Sequence, residues 1–491
     1  MIDAALMPIL WTADEAARAT RGVVGGDWSA TGVSIDSRDI TPGDLFIAIS
    51  GPNHDGHAFV ADALANGAVA AVVAGTQTDS FAGVSDLARL LRVEDTMSAL
   101  QDLARAARDR TAAKIVAVTG SVGKTGTKEA LKLALSGQVD DVHEVIATQG
   151  NLNNHWGLPL SLARMPREAR YGIFEMGMNH AGEISPLSRI ARPHVAVITT
   201  VADTHSEYFD SLEHIADAKA EVFDGLVPDG TVILNKDNPM FGQLSAAART
   251  AGVNQLVSFG TVSDADCRLT EIVTHADHSD ITAQLNQLKI TYTLGVPGRH
   301  LAVNSLAVLA AVQALGADVE LAASSLADMR GLKGRGARHC IEMTAGAFEL
   351  IDESYNASPA SMAAAIAVLS GCQPEGQGRR IAVLGDMLEL GGSAEKMHTA
   401  LVAPLVEGGI DQVFTTGQYM STLWDILPVD MRGGHASVVE KLIPLVTASV
   451  QAGDVVMVKG SLGSRTRQVV NALMQLSQHD DAPQPRVMNG G

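Results

Sequence analysis

Lys114-Ile115-Val116-Ala117-Val118-Thr119 runs straight into Gly120-Ser121-Val122-Gly123-Lys124-Thr125-Gly126. The first six residues form a continuous, β-branched apolar run, the pattern of a strand buried on both faces. A glycine-rich turn follows, and then a segment over 124–136 that reads as a helix. That order is the context a phosphate-binding loop needs. Glycines let backbone N–H groups approach phosphate oxygens, and the helix N-terminus adds positive potential. In such a loop Lys124 reaches the terminal phosphates, and the Thr125 hydroxyl can ligate Mg²⁺. The strict Walker spacing asks for a glycine where this chain has Val118, so a glycine-rich turn that merely contains Gly-Lys-Thr is the alternative.

Strands and helices alternate on both sides of this loop. Downstream, strands are expected at 172–176, 195–199 and 231–235, with helices between them, so a parallel doubly wound sheet is expected. Upstream, apolar runs at 46–49 and 70–73 flank an amphipathic helix near 58–66, a small α/β unit, and a helix over 96–110 leads into the phosphate-loop strand. The last third repeats the rhythm with strands at 348–352, 381–385, 412–416 and 455–458. The glycines of 331–336 mark the second boundary or, alternatively, a surface loop within one domain. Glu175, Thr199, Asn235, Asp352, Asp386 and Lys459 fall at carboxyl ends of these strands, where open α/β sheets bind ligands.

The chain has 491 residues, enough for roughly three domains of about 150. Its 36 Lys and Arg against 55 Asp and Glu leave a net charge of −19. That balance argues against nucleic acid or an anionic membrane as a partner, since both require basic patches. Three scattered cysteines, Cys267, Cys340 and Cys372, make neither a disulfide framework nor a thiolate zinc site. No Lys or Arg precedes Arg18, so no secretory signal is expected. The longest uncharged stretch, 301–317, is short for a membrane span and contains Asn304, Ser305 and Gln313; it reads as a buried helix. A soluble, cytoplasmic protein is expected, with a disordered tail at 479–491.

Single residues are ambiguous taken alone. Glu175, ending a strand, suits a hard cation or a helix N-terminus equally well. His205 is a loop histidine, and Lys219 lies in a helix expected over 211–226, where most lysines are solvated. Asn151, Asn153 and Asn154 serve a turn or read phosphate and sugar.

The ordered set is another matter. Thr119–Thr125, Gln149-Gly150-Asn151-Leu152-Asn153-Asn154, Phe174-Glu175-Met176-Gly177-Met178-Asn179-His180, Thr204-His205-Ser206-Glu207, Asp217-Ala218-Lys219-Ala220-Glu221-Val222-Phe223 and Leu350-Ile351-Asp352-Glu353-Ser354-Tyr355-Asn356 resemble, in this order, the Mur ligases of peptidoglycan synthesis. The phosphate loop without the first Walker glycine is the form those enzymes carry. Ile35-Asp36-Ser37-Arg38 and Asp55-Gly56-His57 extend the resemblance to the N-terminus. Leu384-Gly385-Asp386-Met387-Leu388-Glu389-Leu390-Gly391, with His398 downstream, resembles the members that add a D-alanyl-D-alanine dipeptide.

The resemblance implies an α/β protein of three domains. They are an N-terminal UDP-substrate-binding domain (1–92), a central P-loop-type ATP-binding domain (93–333) and a Rossmann-like C-terminal ligase domain (334–478). It implies ATP and Mg²⁺, with UDP-N-acetylmuramoyl-tripeptide and D-alanyl-D-alanine as substrates of a monomer. Gly120, Ser121, Val122, Gly123, Lys124, Thr125, Gly126, Asn304, Asp352, Tyr355 and Asn356 then hold ATP. Thr125, Glu175, His205 and a carbamylated Lys219 hold the metal. Asp36, Ser37 and Arg38, with Asn151, Asn153 and Asn154, hold the UDP substrate. Lys124, His205, Lys219 and an arginine act on the reacting phosphate; Arg335 and Arg338 both qualify for the last, and spacing favours Arg338.

Two rivals stand beside this reading. One is a sister Mur-type ligase, either the tripeptide synthetase or a folylpolyglutamate synthase-like enzyme. The synthetase adding diaminopimelate carries an Asp-Asn-Pro-Arg motif in its C-terminal domain. Here Met240 follows Asp237-Asn238-Pro239, in the central domain. The other is a non-catalytic nucleotide-binding regulator.

Overall fold

The computed structural model describes residues 8–51, 54–75, 86–203 and 207–479. His205 and nearly all of the expected tail, 480–491, lie outside the described residues.

Three large sheets carry the chain, beside a two-stranded antiparallel pairing of Trp11–Thr12 with Ser29–Ala30. The first has strands Val23–Val24, Leu90–Val93, Ala70–Ala74, Asp44–Ile47 and Gly32–Ser34, in that spatial order. Its core, with Leu45, Ile47, Val72 and Leu91, is shared with Leu100, Leu103 and Ala107 of the helix Thr96–Asp109, which Asp95 caps through the Ser98 N–H at 2.7 Å. The opposite flank of that helix gives Ala104 to the next core. One helix thus joins two domains through its apolar faces, which also draw in Leu160 and Ala163 of the helix Gly157–Ala163.

The second sheet is nine-stranded. Lys114–Thr119 lies between Val195–Ile198 and Tyr171–Glu175, all parallel. Val145–Ala147 forms one edge, and Thr231–Asn235, Gln255–Gly260 and Cys267–Thr274 continue the parallel run on the other side. Ser279–Leu285 and Leu288–Leu294 then add two antiparallel strands, which the sequence reading did not anticipate. Helices Lys124–Ser136 and Arg299–Ala314 cover one face. Gly157–Ala163, Ile184–Ala191, Leu212–Ala220 and Phe241–Thr250 cover the other. The uncharged stretch is therefore a buried helix, as expected, and among the described residues no helix is long and apolar enough to cross a membrane. The helix expected over 211–226 ends at Ala220 and tightens into a 3₁₀ segment, Glu221–Gly225.

The third sheet orders Ala337–Met343, Gly346–Glu353, Val455–Lys459, Arg380–Gly385, Gln412–Thr416 and Arg432–Ala436. Only the first pairing is antiparallel. This is an α/β protein built on doubly wound, mostly parallel sheets.

Candidate active site

Parallel register brings Thr119, Glu175 and Ile198 to one edge of the central sheet, since Glu175 pairs with Val118 and Ile198 with Thr119. The phosphate loop springs from that edge. Gly120 and Gly123 have φ of 145° and 88°, backbone that a side chain rarely adopts. A Cβ on Gly120 would collide with Thr199 Oγ1, and one on Gly123 would lie 2.7 Å from Asn304 Nδ2. The Asn304 amide thus rests on the loop, next to where a nucleotide is expected. Thr199 Oγ1 donates to Val122 O at 2.6 Å and Ser121 Oγ to Ala202 O at 2.9 Å, so the loop is held before any ligand arrives.

Lys124, at the first position of its helix, curls back so that Nζ donates to Gly120 O at 2.7 Å and Ser121 O at 3.3 Å. Burial pushes its ammonium below the ordinary value; the Glu175 carboxylate opposes this and the Arg335 charge adds to it. Thr125 Oγ1 donates to Glu175 Oε2 at 2.9 Å, and Asn153 Nδ2 donates to Oε1 of the same carboxylate at 2.8 Å. Glu175 is 2% exposed. A buried carboxylate and a hydroxyl side by side are oxygen donors of the kind Mg²⁺ takes, so these residues fit that ion.

Lys219 is 3% exposed at the last turn of the helix Leu212–Ala220. Burial, and then the Lys124 charge, push its amine well below the ordinary lysine value. Unlike most helix lysines, Lys219 is turned inward.

Two residues beyond Lys219, the Glu221 carboxylate accepts from the N–H groups of Gly182 at 2.5 Å, Ile184 at 3.0 Å and Ser185 at 3.1 Å. It ties the start of the helix Ile184–Ala191 to the Lys219 segment. Lys128, one turn after Lys124 and fully buried, donates to Thr148 O at 2.6 Å, while Thr148 Oγ1 accepts from Glu175 N–H at 3.0 Å. Sequence reasoning missed both Glu221 and Lys128. The only available signal was their spacing from Lys219 and Lys124, and ordinary helix charges give the same signal.

The C-terminal domain reaches this region through the loop 331–336. Asp352 does not face outward to a ligand. Its carboxylate accepts from Gly334 N–H at 2.9 Å, Ser354 N–H at 3.1 Å and Ser354 Oγ at 2.5 Å, fastening the loop to its strand end. Arg335 lies over the Tyr355 ring, 4.1 Å from its centroid, and its charge is felt at Lys124. Arg338 lies in the strand Ala337–Met343, paired with Glu349 at 2.7 Å and with Cys372 Sγ at 3.6 Å, so its guanidinium is already engaged inside the C-terminal domain. Asn356 is exposed, and its carbonyl accepts from Lys459 Nζ at 3.0 Å.

At the N-terminus Asp36 and Arg38 clasp each other at 2.7 and 2.9 Å, which lowers the Asp36 carboxyl to about 2. Ser37 accepts from Asn66 Nδ2 through its carbonyl at 3.1 Å. Of the asparagines expected at the UDP substrate, Asn151 is exposed, whereas Asn153 Nδ2 donates to Glu175, and Asn154 Oδ1 accepts from Gly157 N–H at 2.9 Å just before the helix Gly157–Ala163.

Family comparison agrees with this geometry. The Mur ligase middle-domain model matches residues 118–312, the Mur ligase glutamate ligase domain model 339–462 and the Mur ligase family catalytic-domain model 29–108. The UDP-N-acetylmuramoyl-tripeptide–D-alanyl-D-alanine ligase of Rickettsia prowazekii is 36% identical over 439 residues, covering 89% of this chain and 94% of that one. The enzyme of the same name from Bacillus subtilis is 34% identical, covering 90% and 93%. Among solved structures, MurF from Acinetobacter baumannii superposes with a TM-score of 0.80 at 30% identity, covering 95% of this chain and 99% of that one. The chain belongs to the Mur ligase family.

Proposed function

We propose that this chain is an ATP-dependent ligase that joins D-alanyl-D-alanine to UDP-N-acetylmuramoyl-tripeptide, forming the pentapeptide precursor of peptidoglycan. The observation that carries the reading is likeness along nearly the whole chain to relatives of that name, at 36% and 34% identity. It is joined to a phosphate loop whose Thr125 and Glu175 sit together at the sheet edge.

A carboxylate is a poor acyl donor. Its oxygen attacks the γ-phosphorus of ATP in line, ADP leaves, and an acyl phosphate forms. Charge on the transferring phosphoryl group has to be neutralised, and in this reading Lys124 supplies that charge together with Arg335, whose charge is felt at Lys124. Thr125 and Glu175 would hold Mg²⁺, which would supply further charge neutralisation. The dipeptide amine then attacks the acyl carbon, and the tetrahedral intermediate collapses with loss of phosphate. Acyl phosphates hydrolyse readily, which favours closure of the C-terminal domain about the loop 331–336 to exclude water.

In this reading 1–92 holds the UDP end, with Asp36, Ser37 and Arg38 toward it; 93–333 holds ATP; and 334–478 closes on both and receives the dipeptide. The enzyme works in the cytoplasm as a monomer without nucleic-acid or membrane partners, in keeping with its net charge of −19.

An ADP-release assay with UDP-N-acetylmuramoyl-tripeptide and a panel of amines tests the proposal. D-alanyl-D-alanine should far outperform free diaminopimelate or L-glutamate. Efficient use of a single amino acid moves the chain to a sister ligase, and nucleotide turnover indifferent to both substrates favours a regulator.

A further inference from the structure

The strand Cys267–Thr274 pairs with Gln255–Gly260 only through Cys267 and Arg268. Residues 269–274 therefore run on for about 20 Å past the sheet edge at ~3.3 Å per residue, paired only with the returning strand Ser279–Leu285. The loop between them is His275-Ala276-Asp277-His278, closed by His275 N–H donating to His278 O at 2.9 Å. The tip of this arm lies toward the C-terminal domain, where the Arg338 charge acts on Asp277.

Three potential ligands converge at the tip. The His275 and His278 rings stack with centroids 4.2 Å apart and planes 14° from parallel. His275 Nε2 lies 3.0 Å from Asp280 Oδ2. One donor atom from each of His275, His278 and Asp280 falls within 4.8 Å of the others. Supporting contacts orient the set. Thr293 Oγ1, from the third strand of the meander, donates to Asp280 Oδ1 at 2.8 Å and leaves Oδ2 facing the histidines. Asp277 Oδ1 lies 2.6 Å from His278 Nδ1, which leaves Nε2 as the free nitrogen. A carboxylate on the far nitrogen of a ligating histidine is a recurrent support of metal sites.

We propose that His275, His278 and Asp280 form a site for a divalent transition metal of the Zn²⁺, Ni²⁺ or Cu²⁺ class. The two imidazoles are borderline donors that favour such ions over Mg²⁺ or Ca²⁺, and a carboxylate ligates them as well. Ligand bonds of about 2.1 Å bring donors to roughly 3.4 Å from one another, so His275 Nε2 and Asp280 Oδ2 at 3.0 Å already stand at ligand spacing, and the His278 donor lies within 4.8 Å of both. Water completes the shell on the solvent side. The site is distinct from the ATP centre, because the arm's strand stands four strands from Lys114–Thr119, about 19 Å at ~4.8 Å per strand.

Nucleotide-free full-length protein, stripped with chelator, should be titrated with Co²⁺ and followed by its visible absorption. One saturable equivalent is expected, undiminished by millimolar Mg²⁺ and displaced by Zn²⁺. H275A and H278A should each weaken it by about tenfold or more, while ligation with MgATP and the melting temperature stay at wild-type values. D277N should weaken it less. Absence of a saturable equivalent, or the same binding in the H275A/H278A double variant, would overturn the site.

Discussion

Thr125 Oγ1 and Glu175 Oε2 lie 2.9 Å apart, although fifty residues separate them in sequence. The hydroxyl begins the helix after the phosphate loop, and the carboxylate ends the neighbouring parallel strand. Register alone makes them neighbours, with Asn153 holding the other carboxylate oxygen. Glu175→Gln keeps the size and the acceptor oxygen but removes the charge. Ligation should fall by on the order of a hundredfold or more, with the Mg²⁺ requirement moved to higher concentration. Steady-state rates across a Mg²⁺ series check this, and an unchanged Mg²⁺ dependence would remove Glu175 from the metal site.

Lys124→Ala should abolish turnover with little change in melting temperature. The Nζ bonds only to carbonyls of the loop itself, so the rest of the fold loses little. Charge neutralisation in phosphoryl transfer is worth several kcal/mol, about a thousandfold or more in rate. Near-normal turnover would sink the assignment of this loop to ATP.

Arg335 and Arg338 separate cleanly by experiment. Arg335→Ala should lower kcat strongly while leaving stability near wild type, because this side chain rests on the Tyr355 ring surface. Arg338→Ala leaves Glu349 without its 2.7 Å partner inside the C-terminal domain and should cost about 1–3 kcal/mol in unfolding free energy with a smaller effect on kcat. Paired denaturation and kinetic measurements on the two variants decide it; the opposite pattern would restore the spacing-based choice.

Local pattern made much of this molecule legible. The strand Lys114–Thr119, the helix Lys124–Ser136 and the strands Thr231–Asn235 and Gln412–Thr416 stand where apolar runs and turn residues place them. The meander of Cys267–Leu294 was hidden for a physical reason. Its strand Ser279–Leu285 alternates as a half-buried strand must, but two of its inward residues are Ser279 and Ala283, which carry little apolar signal. Site chemistry was less legible than fold. Asn153 reaches Glu175 across twenty-two residues, and nothing near it in sequence announces that contact. Lys128 and Lys219 look like solvated helix lysines, and only the packing of the helices on the sheet shows both to be buried. Arg338 was preferred on spacing, and spacing cannot show that a strand beginning at Ala337 turns that guanidinium toward Glu349 and Cys372.

His194 predicts a loss of stability in mild acid. Its Nδ1 accepts the Ile115 N–H at 2.9 Å at the start of the phosphate-loop strand, a bond that requires the neutral ring. Burial, then the charges of Arg108 and Lys114, push it down to about 4. The unfolded chain takes up this proton near pH 6.5 and the folded one only near pH 4, so stability is complete above about pH 6.5 and falls as pH drops through that window. The partly exposed ring limits the loss to about 2 kcal/mol. His194→Gln, which still offers an oxygen to Ile115, should flatten denaturation midpoints between pH 6.5 and 4.5. An unchanged pH slope would place the acid sensitivity elsewhere.

Lys219 is expected to carry a carbamate in the working enzyme. A plain ammonium near Mg²⁺ is repelled and offers no lone pair, whereas reaction of the neutral amine with CO₂ makes an anionic oxygen ligand suited to a hard cation. Burial at 3% exposure and the nearby Lys124 charge both favour the neutral amine that this reaction requires. Its neighbours Ala218 and Ala220 are small and leave room for the added group. Two levers follow. Activity of the wild type should fall when CO₂ and bicarbonate are rigorously removed and return when bicarbonate is restored. Lys219→Ala should lose most of its ligation rate while keeping its fold, and short-chain carboxylates such as acetate or propionate should restore part of it by standing where the carbamate oxygens stood. High activity of Lys219→Ala without any added acid would rule the carbamate out as a catalytic requirement, because no other change at this position supplies the missing anionic ligand.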